Sequence, residues 1–258
     1  MLERATEVTE PHTQLLRVTL EVDNARVYWQ RATNPPAVSA EQEAERAFVE
    51  FWFGTKSMQR LRNLIAAFRA RFAVFPGALE ALQAWPDMDR QTRVLVCHWH
   101  LQLSDPLYRR FTGDYLVERR QGGRGTVSRG PVLRWMGEVD VDERWSAATR
   151  AGFASKLLSA AHAAGLVDSV RDPRGLSLPR VPAAALGYLM YLLRSVQFAG
   201  SLHANPYLRS VGLEGGSVDD KLRAVAGLSC RRVGDLSDFT WDYESLADWV
   251  RHTRGSTA

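Results

Sequence analysis

The sequence predicts a mainly α protein, a helical N-terminal lobe followed by a winged helix-turn-helix lobe with one small β-hairpin. Three observations predict it. Apolar residues recur at helical spacing in most segments long enough to form an element. The stretch Thr126–Val181 orders its signals as helix, helix, then two short strands around a Pro/Gly turn. Arginines crowd that same stretch, as an anion-binding module needs.

Taken in order, residues 1–13 are polar and acidic, which predicts a flexible tail and no signal peptide. TQLLRVTLEVDNARVYWQRA predicts a helix, with Leu16, Leu20, Val27 and Tyr28 near helical spacing. NPPAVSAEQ breaks it, and Ser39 with Gln42 forms a capping box for the next helix. That helix, AERAFVEFWF, is aromatic around much of its circumference, which predicts burial on more than one side. MQRLRNLIAAFRARF places Leu61, Leu64, Ile65, Phe68 and Phe72 on one face. FPGALEALQAW and DRQTRVLVCHWHLQL predict two further helices, and Asp105–Pro106 an N-cap and first-turn pair for LYRRFTGDYLVERR. QGGRGT is linker-like and marks a boundary, so the helical lobe is expected over 14–120.

The winged lobe is expected over 126–200. SRGPVLRWMGE predicts its first helix, with Pro131 in the first turn, where the missing N–H costs nothing. WSAATRAGFASKLLSAAHAAGLVD predicts the second, with Ser146 as N-cap and Gly165 just past its end. Phe153, Leu157, Ala161 and Ala164, with Ala154 beside them, form its apolar stripe. The opposite face, Ala148, Gly152, Ser155, Lys156 and Ser159, is small and polar, so another backbone can approach it closely. LVDSV and LSLPRV around RDPRG predict the hairpin, with Arg171 and Arg174 at its tip. Helix–helix–hairpin is also a common structural module, and many winged helices bind only protein. PAAALGYLMYLLRSVQF predicts an apolar core helix. Residues 201–258 are expected as C-terminal helices packing back on the lobes, with a short strand in SCRRVGDLSDFTW.

Composition bounds the function classes. The chain has 258 residues, 45% hydrophobic and 24% charged, with net charge +4, as expected of a soluble globular protein. Only Lys56, Lys156 and Lys221 are lysines among 33 basic residues, so anion contacts will be planar and bidentate. Two cysteines, Cys97 and Cys230, build no disulfide framework, which fits a cytoplasmic location. The apolar run Val181–Leu193 is too short for a bilayer, so no membrane partner is expected.

No phosphate-binding loop, dinucleotide fingerprint, nucleophile elbow or His-Glu-x-x-His pattern occurs. Cys97, His98 and His100 diverge around one helix and do not face a single ion. The acidic pairs Asp87/Asp89, Asp140/Asp142/Glu143 and Asp219/Asp220 read as caps and turns. A metal-dependent nuclease built from them is the enzymatic alternative. The expectation is no catalytic residue, no cofactor and no metal.

The arginines carry the functional argument. Arg119, Arg120, Arg124, Arg129 and Arg134 lie at the boundary and first winged-lobe helix, and Arg144, Arg150, Lys156, Arg171, Arg174 and Arg180 continue through the lobe. The candidate DNA-binding set is Arg124, Arg129, Arg134, Ser146, Thr149, Arg150, Ser155, Lys156, Ser159, Arg171 and Arg174. The second-helix face has no Asn or Gln for adenine and no outward Arg for guanine. Sequence-tolerant contact with duplex phosphates follows, with about four to six of them neutralised.

LSDPLYRRFTGDYLVERR, a Gly-rich linker and WSAATRAGFASKLLSAAHAAGLVDS together resemble the BrxA family of BREX phage-defence systems. The likeness rests on the helix from Asp105 to Arg120, on Thr149–Arg150 with Lys156–Leu157, and on the Ala164–Gly165–Leu166 exit, and spans roughly 95–170. It implies a two-lobed, mainly helical cytoplasmic protein that binds double-stranded DNA without an enzymatic role of its own. It also implies other BREX system proteins as partners, including a methyltransferase and an ATPase. The acidic N-terminal tail and the chain past about residue 215 depart from the pattern. A protein-docking adaptor is the non-enzymatic alternative.

Overall fold

Residues 4–233 and 236–254 are described by a computed structural model, mainly helical with three two-stranded sheets among them. The segment expected as a flexible tail is tied in from residue 4 on; residues 1–3 lie outside the described residues. β1 (Ala5–Thr6) pairs in parallel with Val196–Gln197. The buried Glu7 carboxylate accepts from the Ala199 N–H at 3.0 Å and from the Tyr207 hydroxyl, with Arg109 Nε 3.5 Å away. A polar segment held by one buried acid has no apolar periodicity, so nothing in its sequence pattern signals the attachment.

The helix expected over Thr13–Ala32 is split into α1 (Gln14–Arg17) and α2 (Val22–Arg31). Val18 and Leu20 are buried in the link between them. The buried Arg71 guanidinium donates to the Val18 and Thr19 carbonyls at 2.7 and 2.6 Å, satisfying backbone that a helix would have satisfied itself. Ser39 opens α3 (Ala40–Val49) with its capping box to Gln42. This helix packs chiefly on α4 (Met58–Phe68). Phe48, Val49 and Phe51 therefore point outward, against the expected burial on several sides. From α4 the chain enters a π-helical turn, Arg69–Ala73, which keeps Phe72 in the core and turns Arg71 inward.

After α5 (Ala78–Gln83) comes α6 (Arg90–Ser104), capped by Asp89, whose Oδ1 accepts the Thr92 N–H at 3.0 Å. Along α6 His98 and His100 are fully buried and bonded at both ring nitrogens. The Arg71 carbonyl can only accept, so His100 Nδ1–H donates to it at 2.6 Å; burial keeps the ring neutral, which leaves Nε2 to accept the Tyr188 hydroxyl at 2.8 Å. Asp105 caps α7 (Pro106–Arg110); a π-helical turn, Phe111–Tyr115, joins it to α8 (Leu116–Gln121).

The expected boundary QGGRGT is a helix stop. Gly123 sits at φ 70°, where glycine alone is unstrained, and the Arg124 N–H returns to the Arg119 carbonyl at 2.9 Å. Buried side chains on both sides of it belong to one hydrophobic cluster running from Leu15 to Val250. Next come β2 (Thr126–Val127), α9 (Arg129–Val139), α10 (Ala147–Ala163) and β3 (Arg174–Gly175), described below.

α11 (Ala183–Arg194), buried through nearly its whole length, packs against α6 and leads into β4 (Val196–Gln197), the partner of β1. Then follow α12 (Pro206–Ser210), α13 (Gly216–Leu222) and an antiparallel hairpin of β5 (Leu228–Val233) and β6 (Leu236–Trp241). Only a short strand was expected there, because Cys230, Arg231 and Arg232 interrupt any clean apolar alternation. α14 (Leu246–Arg254) closes the described chain; Ser245 just before it accepts the Asp248 N–H at 3.1 Å. Trp249 of α14 is fully buried, stacked on Tyr191 at 5.5 Å, and its indole N–H donates to the Ala226 carbonyl at 2.8 Å. Through Trp249, α14 packs on α11 and on the loop before β5. No described helix is long and apolar enough to cross a membrane.

Candidate nucleic-acid interface

The turn between α9 and α10 is built on one acid. Asp140, with a 1% exposed side chain, accepts the Arg144 and Trp145 N–H groups at 2.9 and 3.1 Å. Arg150 stands 3.9 Å from the same carboxylate. Trp145 then packs on Phe153, 4.6 Å between centroids, which fixes how α10 leaves the turn. Ser146 caps α10, its Oγ accepting the Thr149 N–H at 3.2 Å and touching the Thr149 hydroxyl at 3.0 Å. Phe153, Ala154, Leu157, Ala161 and Ala164 are all fully buried, as the spacing predicts. Gly165 at φ 75° ends the helix, and the Leu166 N–H returns to the Ala161 carbonyl at 2.9 Å.

From there the chain doubles back. The Asp168 N–H donates to the Gly175 carbonyl and the Ser177 N–H to the Leu166 carbonyl, both at 3.0 Å. Val167 faces Leu176 in an antiparallel bridge. The returning strand pairs on its other side with β2, Thr126 opposite Gly175 and Val127 opposite Arg174. The local order is therefore helix, strand, helix, helix and hairpin, with the last strand between the other two.

At the loop 168–174, Asp172 accepts the Arg129 N–H at 2.7 Å and Arg174 Nε at 2.9 Å. Those two hydrogen bonds, the backbone one foremost, hold its carboxyl below the usual range. Arg129 also reaches α10, its Nη2 3.5 Å from the Ala151 carbonyl, which in turn accepts Ser155 Oγ at 3.1 Å. Arg129 thus stands where α9, α10 and the loop meet. Ser155, Lys156 and Ser159 of α10 and Arg171 of the loop are exposed. Among the described residues, Arg129, Lys156 and Arg171 form no ion pair.

The remaining expected residues do other work. Ser146 and Thr149 spend their polar groups on the cap. Arg150 faces Asp140, and Arg174 faces Asp172 with its side chain only 12% exposed. Arg174 is therefore a strut of the hairpin, not a free tip charge. Arg124 and Arg134 line a different cleft of about 470 Å³ with Tyr115, Arg119 and Trp135. The aromatic members of that cleft escaped the sequence reading, although Tyr115 and Arg119 are one helical turn apart. Asp172 escaped it too, as one more acid in a turn.

The small face of α10 receives a backbone, as its composition predicts, and the backbone is this chain's own. α1 crosses it at Gly152, where an added Cβ would lie 3.4 Å from Leu16 Cδ2. That is ordinary contact, and alanine is the better helix former. Gly152→Ala is expected to raise unfolding stability by about 0.5–1 kcal/mol, read by urea titration. A loss of stability would mean that α1 sits tighter on α10 than this spacing implies.

Five of the seven acids considered for catalysis are engaged in structure. Asp89 caps α6, Asp140 holds the α9–α10 turn, Asp142 pairs with Arg144, and Asp220 with Arg223. Asp219 accepts from or pairs with His203 at 2.7 Å. Among the described residues no three His, Cys, Asp or Glu side chains converge as a metal site. Compared with known proteins, the chain matches no family model and no curated protein.

Proposed function

We propose that residues 126–181 form a winged helix-turn-helix that binds duplex DNA through its phosphates, with α10 as the groove-facing helix and the 166–177 hairpin as the wing. In this reading the protein is a non-catalytic, cytoplasmic component of a BREX-type defence system, acting beside other BREX proteins; that assignment rests on the likeness to the BrxA family. The observation that carries DNA binding is the position of Arg129. Its backbone N–H donates to Asp172 of the wing and its guanidinium lies 3.5 Å from the Ala151 carbonyl of α10, so its charge lies against the helix that carries the exposed Lys156 and its backbone is tied to the loop that carries the exposed Arg171.

Helix-turn-helix proteins read bases with the N-terminal part of the second helix. Here that part is crossed by α1 at Gly152, and its Ser146 and Thr149 hydroxyls are committed to the cap. Groups left for DNA are short hydroxyls and cations, which favour phosphate over base contacts. With Arg150 and Arg174 paired to acids and Arg124 and Arg134 in a separate cleft, three unpaired cations remain. The expected neutralisation therefore falls to about three phosphates, a slope of log affinity against log salt near −3.

Fluorescence anisotropy of labelled duplexes across a salt series tests this. The double variant Lys156→Ala, Arg171→Ala is expected to lose about two units of slope and to weaken all duplex sequences alike. No binding at low salt, or an unchanged slope in the variant, would favour the adaptor reading instead. One observation already leans that way: α1 covers part of the face that a DNA-reading helix leaves open. Co-purification with BREX proteins in the presence of nuclease is the result expected of the adaptor.

A further inference from the structure

The cleft between α8 and α9 joins an aromatic wall to a set of guanidinium groups. Phe111 and Tyr115 stack at 5.6 Å, and the Trp135 ring lies 5.1 Å from Tyr115. Trp135 and Pro131 are only half-buried, so their apolar surface lines the hollow. Arg119 lies 5.6 Å over Tyr115 and is pinned by Nε and Nη2 to the Thr126 carbonyl at 3.2 and 2.6 Å. Arg124 and Arg134 extend from the rim, exposed, with no carboxylate within ion-pairing distance among the described residues. Glu138 is the one acid lining this hollow, against three arginines. A second hollow of about 300 Å³ shares Tyr115, Arg119 and Arg124 and continues past Gly122.

We infer that this cleft is a binding site for a nucleoside phosphate, the base lying against Trp135 and the phosphates held by Arg124 and Arg134. A volume of about 470 Å³ is that of a small-ligand site. An indole face accepts any base, and guanidinium groups pair with phosphate oxygens in a planar fork. A purely inorganic anion would leave the aromatic wall without a role. Arg119 is already fixed before any ligand arrives, so part of the ordering cost of binding is met in the fold. None of these side chains bonds to α10 or to the 166–177 hairpin, so the inference stands apart from duplex binding. The same unit comes from two sources, a free nucleotide or the unpaired terminal nucleotide of a DNA strand.

Titration of the full chain with N-methylanthraniloyl-ATP, followed by fluorescence, tests the site. Saturable binding is expected, competed by ATP about tenfold or more better than by adenosine or inorganic triphosphate. Arg124→Glu with Arg134→Glu, both exposed and structurally unbonded, should weaken it by about tenfold or more. Lys156→Ala with Arg171→Ala should leave it unchanged, which separates this site from the duplex face. A second arm compares a hairpin duplex bearing a single-stranded overhang with its blunt form. Preference for the overhang that disappears in the Arg124/Arg134 variant identifies a strand end as the source; nucleotide binding without that preference identifies the free nucleotide. Neither saturable nucleotide binding nor overhang preference, or triphosphate competing as well as ATP, would overturn the inference.

Discussion

Acidification from about pH 7.5 to about pH 4.5 is expected to remove about 5 kcal/mol of folding stability through two histidines alone. His98 and His100 are held neutral by burial, with Arg120 adding to the effect at His98, and both are pushed down to about 3. Below an ordinary value near 6.5 the unfolded chain takes up protons that the folded chain refuses, so stability falls as pH falls. Each ring contributes about 1.4 kcal/mol per pH unit below about pH 6.5. Asp105 and Glu43 act in the opposite sense. Burial pushes both carboxyls up, so the folded chain binds their protons first and recovers part of the loss in the more acidic half. Urea denaturation across the pH range reads the net effect. His98→Gln, which keeps an amide for Tyr108 and Ser210, is expected to flatten the dependence by roughly half. A profile as steep in that variant as in the wild type would remove His98 from the explanation.

The second large effect is in the C-terminal region. Trp249→Ala is expected to cost about 4 kcal/mol and to lower Tm by on the order of 10 °C. The indole is fully buried between Trp85 and Tyr191, and its N–H is the donor to the Ala226 carbonyl. Its removal leaves a large cavity and an unpaired carbonyl together. Thermal unfolding followed by circular dichroism measures it. A loss below about 1 kcal/mol would show that α14 is an appendage and not a wall of the core.

Helix positions were legible wherever a cap and a stripe coincided, as at Ser39, Asp105, Ser146 and Gly165. Legibility failed where backbone partners come from far along the chain. The break at Val18–Glu21 depends on Arg71, and the anchoring of Glu7 depends on Tyr207 and Ala199. No local pattern contains such information. For the candidate interface, residue type told which positions are exposed, as Ser155, Lys156, Ser159 and Arg171 are. It did not tell free charges from committed ones: Arg150 and Arg174 look like Arg129 until Asp140 and Asp172 are placed beside them. The arginine run also looked like one surface, whereas α9 divides it between the α10 face and the cleft at Trp135.

The parallel pairing of Ala5–Thr6 with Val196–Gln197 has a consequence for synthesis. A ribosome releases the first strand long before its partner exists, and Glu7 waits longer still for Tyr207. Residues 5–7, made before either partner, therefore dock only after the helices in between have formed their local contacts. A nascent chain halted before residue 196 would carry this leading segment unclasped and accessible to protease, and one released past residue 207 would protect it.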